Sequence, residues 1–113
     1  MDINCTINSK TPLLFLCYRK EHCEILYPVL KLLLKRDDLL INATNDSGLN
    51  ALMYLCKCYP VGDDLLECAT LVIERGIDTR AKELRSGQNA LNILFDRDRN
   101  CSIRLAQIIK SMR

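Results

Sequence analysis

The sequence predicts an all-α fold, a helical repeat solenoid of three helix-turn-helix units. Two observations carry this. One helix-start motif recurs at a constant spacing, and after each occurrence comes a second apolar segment with helical periodicity. The composition agrees. Of 113 residues, 49% are hydrophobic and 27% charged, which suits a single folded domain over 1–113 and argues against intrinsic disorder.

The first helix of each unit opens alike. Thr11-Pro12-Leu13-Leu14-Phe15-Leu16-Cys17, Asn50-Ala51-Leu52-Met53-Tyr54-Leu55-Cys56 and Asn89-Ala90-Leu91-Asn92-Ile93-Leu94-Phe95 align without gaps, each 39 residues after the last. Thr or Asn in first place can cap a helix, and Pro is tolerated at the first helical position. Leu13, Leu16 and Cys17 fall at i, i+3 and i+4 and form one apolar face. Leu52, Leu55 and Cys56 repeat it, as do Leu91, Leu94 and Phe95.

The second helix of unit one holds Val29-Leu30-Lys31-Leu32-Leu33-Leu34, and Cys68-Ala69-Thr70-Leu71-Val72-Ile73 follows 39 residues later. A third copy, Leu105-Ala106-Gln107-Ile108-Ile109-Lys110, comes at a shorter spacing. Pro28 fits best in a first turn, so the second helix is expected to start close to Tyr27. Polar or turn-forming stretches separate the helices of each unit, clearest in Pro60-Val61-Gly62-Asp63, where Asp63 and Asp64 suit capping and dipole complementation of the helix that follows. The connectors Asp37 to Gly48 and Gly76 to Gly87 read as non-helical, with Gly76 placed as a left-handed C-cap. One helix pair cannot bury both its apolar faces, so neighbouring pairs stack, and the end pairs are expected to turn polar residues outward. Lys31, Lys35, Arg36, Asp37 and Asp38 fit that at one end, and Arg104, Gln107, Lys110 and Arg113 at the other.

These segments resemble ankyrin repeats. Thr11-Pro12-Leu13 is similar to the family's helix start, Val29 to Leu34 to its second-helix core, and Ile41-Asn42-Ala43-Thr44-Asn45-Asp46-Ser47-Gly48 to its β-turn finger. Leu71 to Asp78 and Ser86 to Leu91 resemble the same junctions one unit later. The resemblance spans about Ser9 to Lys110 and implies repeats of about 9–47, 48–86 and 87–113, joined by β-turn fingers. The units depart from the family in length, 39 residues against about 33. They also carry Leu16, Leu55 and Leu94 where the family has a small Ala.

The resemblance implies a non-catalytic module that binds a partner protein through the concave face formed by the fingers and the first helices. On this chain the mapping gives Leu14 and Tyr18 in unit one, then Asp46, Ser47, Leu49, Met53 and Lys57 in unit two, and Arg85, Gln88, Asn92 and Asp96 in unit three. Leu14 and Met53 have a competing reading as core, and Tyr54, aligned with Phe15 and Ile93, reads as interior. Self-association, or packing against further repeats of a larger ankyrin protein, is the first alternative, because exposed stack ends are sticky.

Other functions find less in the sequence. Catalysis is not expected: there is no phosphate-cradling glycine loop and no nucleophile motif. Nucleic acid is not the expected partner, since the net charge is only +2 and the arginines lack interleaved aromatics beyond Phe95. Charge is uneven all the same: residues 84–113 hold six basic and two acidic groups, against four and seven in 46–83. Apolar runs are too short to span a membrane, and no signal-peptide core opens the chain, so an intracellular, cytoplasmic or nuclear setting is expected. Seven cysteines raise a metal or redox sensor as the second alternative. With one histidine, His22, and no C-x-x-C, they read better as free, buried thiols, so no cofactor is expected.

Overall fold

In a computed structural model, which describes residues 11–18 and 23–111, the described residues form six helices. They are α1 (Pro12–Tyr18), α2 (Cys23–Leu33), α3 (Ala51–Cys58), α4 (Asp63–Glu74), α5 (Ala90–Arg97) and α6 (Arg99–Ser111), and no strand occurs among the described residues. The fold is all-α.

The constant spacing of the sequence motif is a spacing of N-caps. Thr11 Oγ1 accepts the N–H of Leu14 at 3.4 Å, and Asn50 Oδ1 accepts that of Met53 at 3.0 Å. Asn89 forms a reciprocal box: its Oδ1 accepts the Asn92 N–H at 2.9 Å, while Asn92 Oδ1 accepts the Asn89 N–H at 3.2 Å. Each cap satisfies a backbone donor that a helix start otherwise leaves open.

Two boundaries differ from expectation. Helix α2 starts at Cys23, so Pro28 lies inside the helix and not in its first turn. Pro28 is exposed, and the hydrogen bond it cannot donate is lost on the solvent side of the helix, where water can serve the freed carbonyl. Helix α4 is capped by Gly62, without a side-chain bond, while Asp63 and Asp64 occupy its first turn. The two carboxylates therefore act on the helix dipole and do not supply the cap. The C-terminus of α4 follows expectation. Gly76 has φ +98°, Ile77 donates to the Val72 carbonyl and Gly76 to that of Ile73, which together close a Schellman motif.

Helices pack in two rows. α1, α3 and α5 lie in one and α2, α4 and α6 in the other, and each consecutive pair α1–α2, α3–α4 and α5–α6 is also in contact. The core runs between the rows and is leucine-rich: Leu13, Leu30, Leu52, Leu55, Leu65, Leu94 and Leu105 are fully buried. Each such side chain contributes roughly 1.5–3 kcal/mol by leaving water. Helix α3 sits between α1 and α5 and against α4, which is why every residue from Ala51 to Cys56 is buried.

Two arginines tie the pairs together at helix C-termini. Arg75 donates through Nε to the Leu34 carbonyl at 3.1 Å and through Nη2 to that of Arg36 at 3.0 Å, closing the end of α2. Arg97 donates through Nη1 to the carbonyls of Cys56 at 2.8 Å and Tyr59 at 2.7 Å, closing the end of α3. A cation at the last carbonyls also complements the helix dipole.

Candidate partner-binding face

The connectors ahead of α3 and α5 fold into two turns that lie side by side. In the first, Asn45 Oδ1 accepts the N–H groups of Ser47 and Leu49, both at 2.9 Å, and Gly48 donates to the Asn45 carbonyl at 3.1 Å. Asn serves here because its short amide can imitate a backbone acceptor. In the second, Glu83 donates to the Gln88 carbonyl and Gly87 to that of Glu83, both at 2.9 Å. The turns are joined directly by the Leu84 N–H, which donates to the Ser47 carbonyl at 2.9 Å. Gly48 permits the approach: its φ is +84°, and a Cβ there would lie 3.1 Å from the Lys82 carbonyl oxygen and 3.2 Å from Leu84 Cγ.

Several of the expected site residues meet at this place. Lys57 is exposed on the last turn of α3, with Nζ 4.0 Å from Glu83 Oε2 of the second turn. Gln88 Nε2 donates to Asp96 Oδ2 at 3.0 Å, joining the second turn to α5. Asp46 and Arg85 are exposed in the first and second turns. Ser47 is half-buried and its carbonyl is used in joining the turns. Asn92 is exposed but also completes the cap of α5.

Leu49 and Met53 do not belong to the surface. They are 4% and 1% exposed, so neither can touch a partner without the fold opening. The reason is position in the row. Met53 and Asn92 occupy the same register, but among the described helices of this row α3 has neighbours on both sides while α5 has α3 on one side only. Leu49 is drawn into the core by the Asn45 turn just ahead of α3. Leu14 is fully buried, as its core reading expected. Tyr54 and Tyr59 are buried too, and the Tyr54 hydroxyl accepts from Asn45 Nδ2 at 2.6 Å. The side chain of Tyr18 lies outside the described residues.

Two members of the face escaped the sequence reading. Leu84 is 75% exposed in the second turn, and Glu83 beside it approaches Lys57. The available signal was a leucine standing alone in Lys82-Glu83-Leu84-Arg85-Ser86, a stretch otherwise polar.

The described cysteine side chains form no part of this face. Cys17, Cys56, Cys58, Cys68 and Cys101 are free and buried, whereas His22 and the side chains of Cys5 and Cys23 lie outside the described residues. Burial, with the Cys68 and Cys58 thiols adding, raises the Cys17 pKa well above the ordinary thiol value. Burial likewise pushes Cys56 up to about 12, with the Cys101 thiol adding and Arg97 opposing. Among the described residues, no three His, Cys, Asp or Glu side chains gather where they could hold a metal ion. No helix there is long and apolar enough to cross a membrane. Compared with models of known protein families and with curated proteins, the chain matches none.

Proposed function

We propose that the chain is an ankyrin-like stack of three helix pairs that acts as a non-catalytic protein-binding module. Its concave face consists of the two turns and the exposed side chains of α3 and α5. The observation that carries this reading is the pairing of turn and helix at Lys57–Glu83 and Gln88–Asp96, flanked by the exposed Asp46, Leu84 and Arg85. Charges of both signs and one apolar side chain stand there on a backbone already fixed by caps and turn hydrogen bonds. Such a surface orders little on docking and so keeps most of its interaction energy. Its charges favour a partner of complementary pattern and raise the rate of encounter. A thiol sensor fits less well, since reactive thiols are exposed with a lowered pKa, and Cys17 and Cys56 are the reverse.

Affinity capture from a cell extract, followed by identification of the bound protein, tests the proposal. Lys57→Glu combined with Arg85→Glu is expected to weaken capture roughly tenfold or more while leaving thermal stability unchanged. Undiminished capture by the folded double variant overturns the assignment of this face.

A further inference from the structure

Each end of the stack exposes one half of a junction that the interior closes. In the second row, Val29 of α2, Cys68 of α4 and Leu105 of α6 hold one register, at steps of 39 and 37 residues. Cys68 and Leu105 are fully buried, whereas Val29 is 41% exposed. This position therefore faces the preceding pair, which α4 and α6 have and α2 lacks among the described helices. Leu32, also exposed, lies one turn further on the same face, and its counterparts Leu71 and Ile108 are half-buried. A neighbouring register behaves in reverse. Leu66 of α4 is buried, while Ile103 of α6, its counterpart, is 49% exposed. That position faces the following pair, which α4 has in α6 and α6 lacks among the described helices. Tyr27, the larger counterpart on α2, is covered in part and 37% exposed. Phe95 of α5 repeats the pattern in the first row: it is exposed where Cys56 of α3 is buried.

The polar outer faces expected of the end pairs are therefore interrupted at both ends. Lys31, Lys35, Arg36, Asp37 and Asp38 are exposed as expected, and so are Arg104, Gln107 and Lys110, but Val29, Leu32 and Ile103 are exposed on the same helices. Charge does not choose what covers them. Asp96, Asp98 and Arg99 follow Phe95 in the chain, and Lys31, Lys35 and Asp37 lie on and after α2, so neither end carries one sign. The register of the stack makes the choice.

We infer that the chain associates head to tail with a second copy of itself, the α2 end of one copy on the α6 end of the next. The occupant is a second copy because one chain carries both halves of the junction. Val29 and Leu32 hold the register that meets a preceding pair, and Ile103 and Phe95 the register that meets a following one. A copy docked in this way continues the stack, with its Val29 and Ile103 of its neighbour in the places that Leu105 and Leu66 take where α6 meets α4. Removal of these side chains from water drives the association. The contact joins two different surfaces and does not close on itself, so a pair keeps one free face of each kind and assembly grows with concentration. The inference uses the stacking of helix pairs but not the concave face, which stays open, so the two can fail separately.

The test is sedimentation velocity of the full chain from about 10 μM to about 1 mM. The weight-average mass is expected to rise with concentration. Val29→Asp and Ile103→Asp, each confirmed folded by its melting curve, should each stay monomeric. Their equimolar mixture should form a one-to-one dimer that grows no further, since each variant supplies the end that the other lacks. Lys57→Glu with Arg85→Glu should associate as the unaltered chain does. In NMR spectra of the unaltered chain, rising concentration should shift Val29, Leu32 and Ile103 together. Monomer throughout the range, undiminished association of either Asp variant, or a mixture that stays monomeric would each overturn the inference. So would loss of association in the Lys57 and Arg85 double variant, which would move the contact to the concave face, or shifts at one end alone, which would make the contact like to like.

Discussion

Asn50 holds the start of α3 to the connector that follows α4: its Oδ1 accepts the Met53 N–H, and its Nδ2 donates to the Asp78 carbonyl at 3.0 Å. Asn50 is buried, whereas Asn89 caps α5 from a half-exposed position. Asn50→Ala therefore loses a cap and leaves a carbonyl unserved, at about 2–3 kcal/mol. Asn89→Ala loses a cap alone, at about 1 kcal/mol. Urea unfolding of the two variants checks the order, and equal losses would contradict the link to Asp78.

Two of the positive-φ glycines, Gly48 and Gly76, are expected to differ in the same way. Gly76→Ala meets open space and carries only the strain of φ +98°, about 1–2 kcal/mol. Gly48→Ala adds a collision with the Lys82 carbonyl and the Leu84 side chain, so its loss should be larger by about 1 kcal/mol or more. Melting curves decide, and similar losses would mean that the two turns do not lie together.

Arg97 serves two carbonyls at the end of α3 through one nitrogen. Arg97→Gln is expected to destabilise the fold by about 1.5–3 kcal/mol, as charged hydrogen bonds at a helix end require. Urea titration gives the value. A change within about 0.5 kcal/mol, typical of an unengaged surface residue, would contradict the role.

The thiols make stability fall in alkali. The Cys56 pKa is raised in the folded chain by burial, from 9.0 to about 12. Between those values the unfolded state releases a proton that the folded state keeps, so the thiol's contribution is complete below about pH 9 and shrinks as pH rises toward 12. Urea unfolding from pH 8 upward should show this decline, reduced in a folded Cys56→Ala variant. Stability rising over that range would contradict it. Iodoacetamide near pH 8 should accordingly label Cys17 and Cys56 only on unfolding.

What the sequence disclosed was local. Thr11, Asn50 and Asn89 mark helix starts by side-chain chemistry within three residues, and Gly76 marks a helix end in the same way. Burial was harder to read, because it depends on what lies beside a helix. Met53 and Asn92 share one register, yet only Met53 is enclosed. The roles of Arg75 and Arg97 were not legible, because the carbonyls they cap lie 38 to 41 residues away, outside any local pattern. Pro28 misplaced the start of α2, since an exposed helix interior can lose one hydrogen bond to water.

The central claim, helix pairs stacked with their turns abreast, is tested most directly at Leu84 and Gly48. A nuclear Overhauser spectrum should show the Leu84 methyls close to the Gly48 α-protons, and the Leu84 amide should resist hydrogen exchange because it donates to Ser47. Absence of that cross-peak, together with unprotected exchange at Leu84, would contradict the stack.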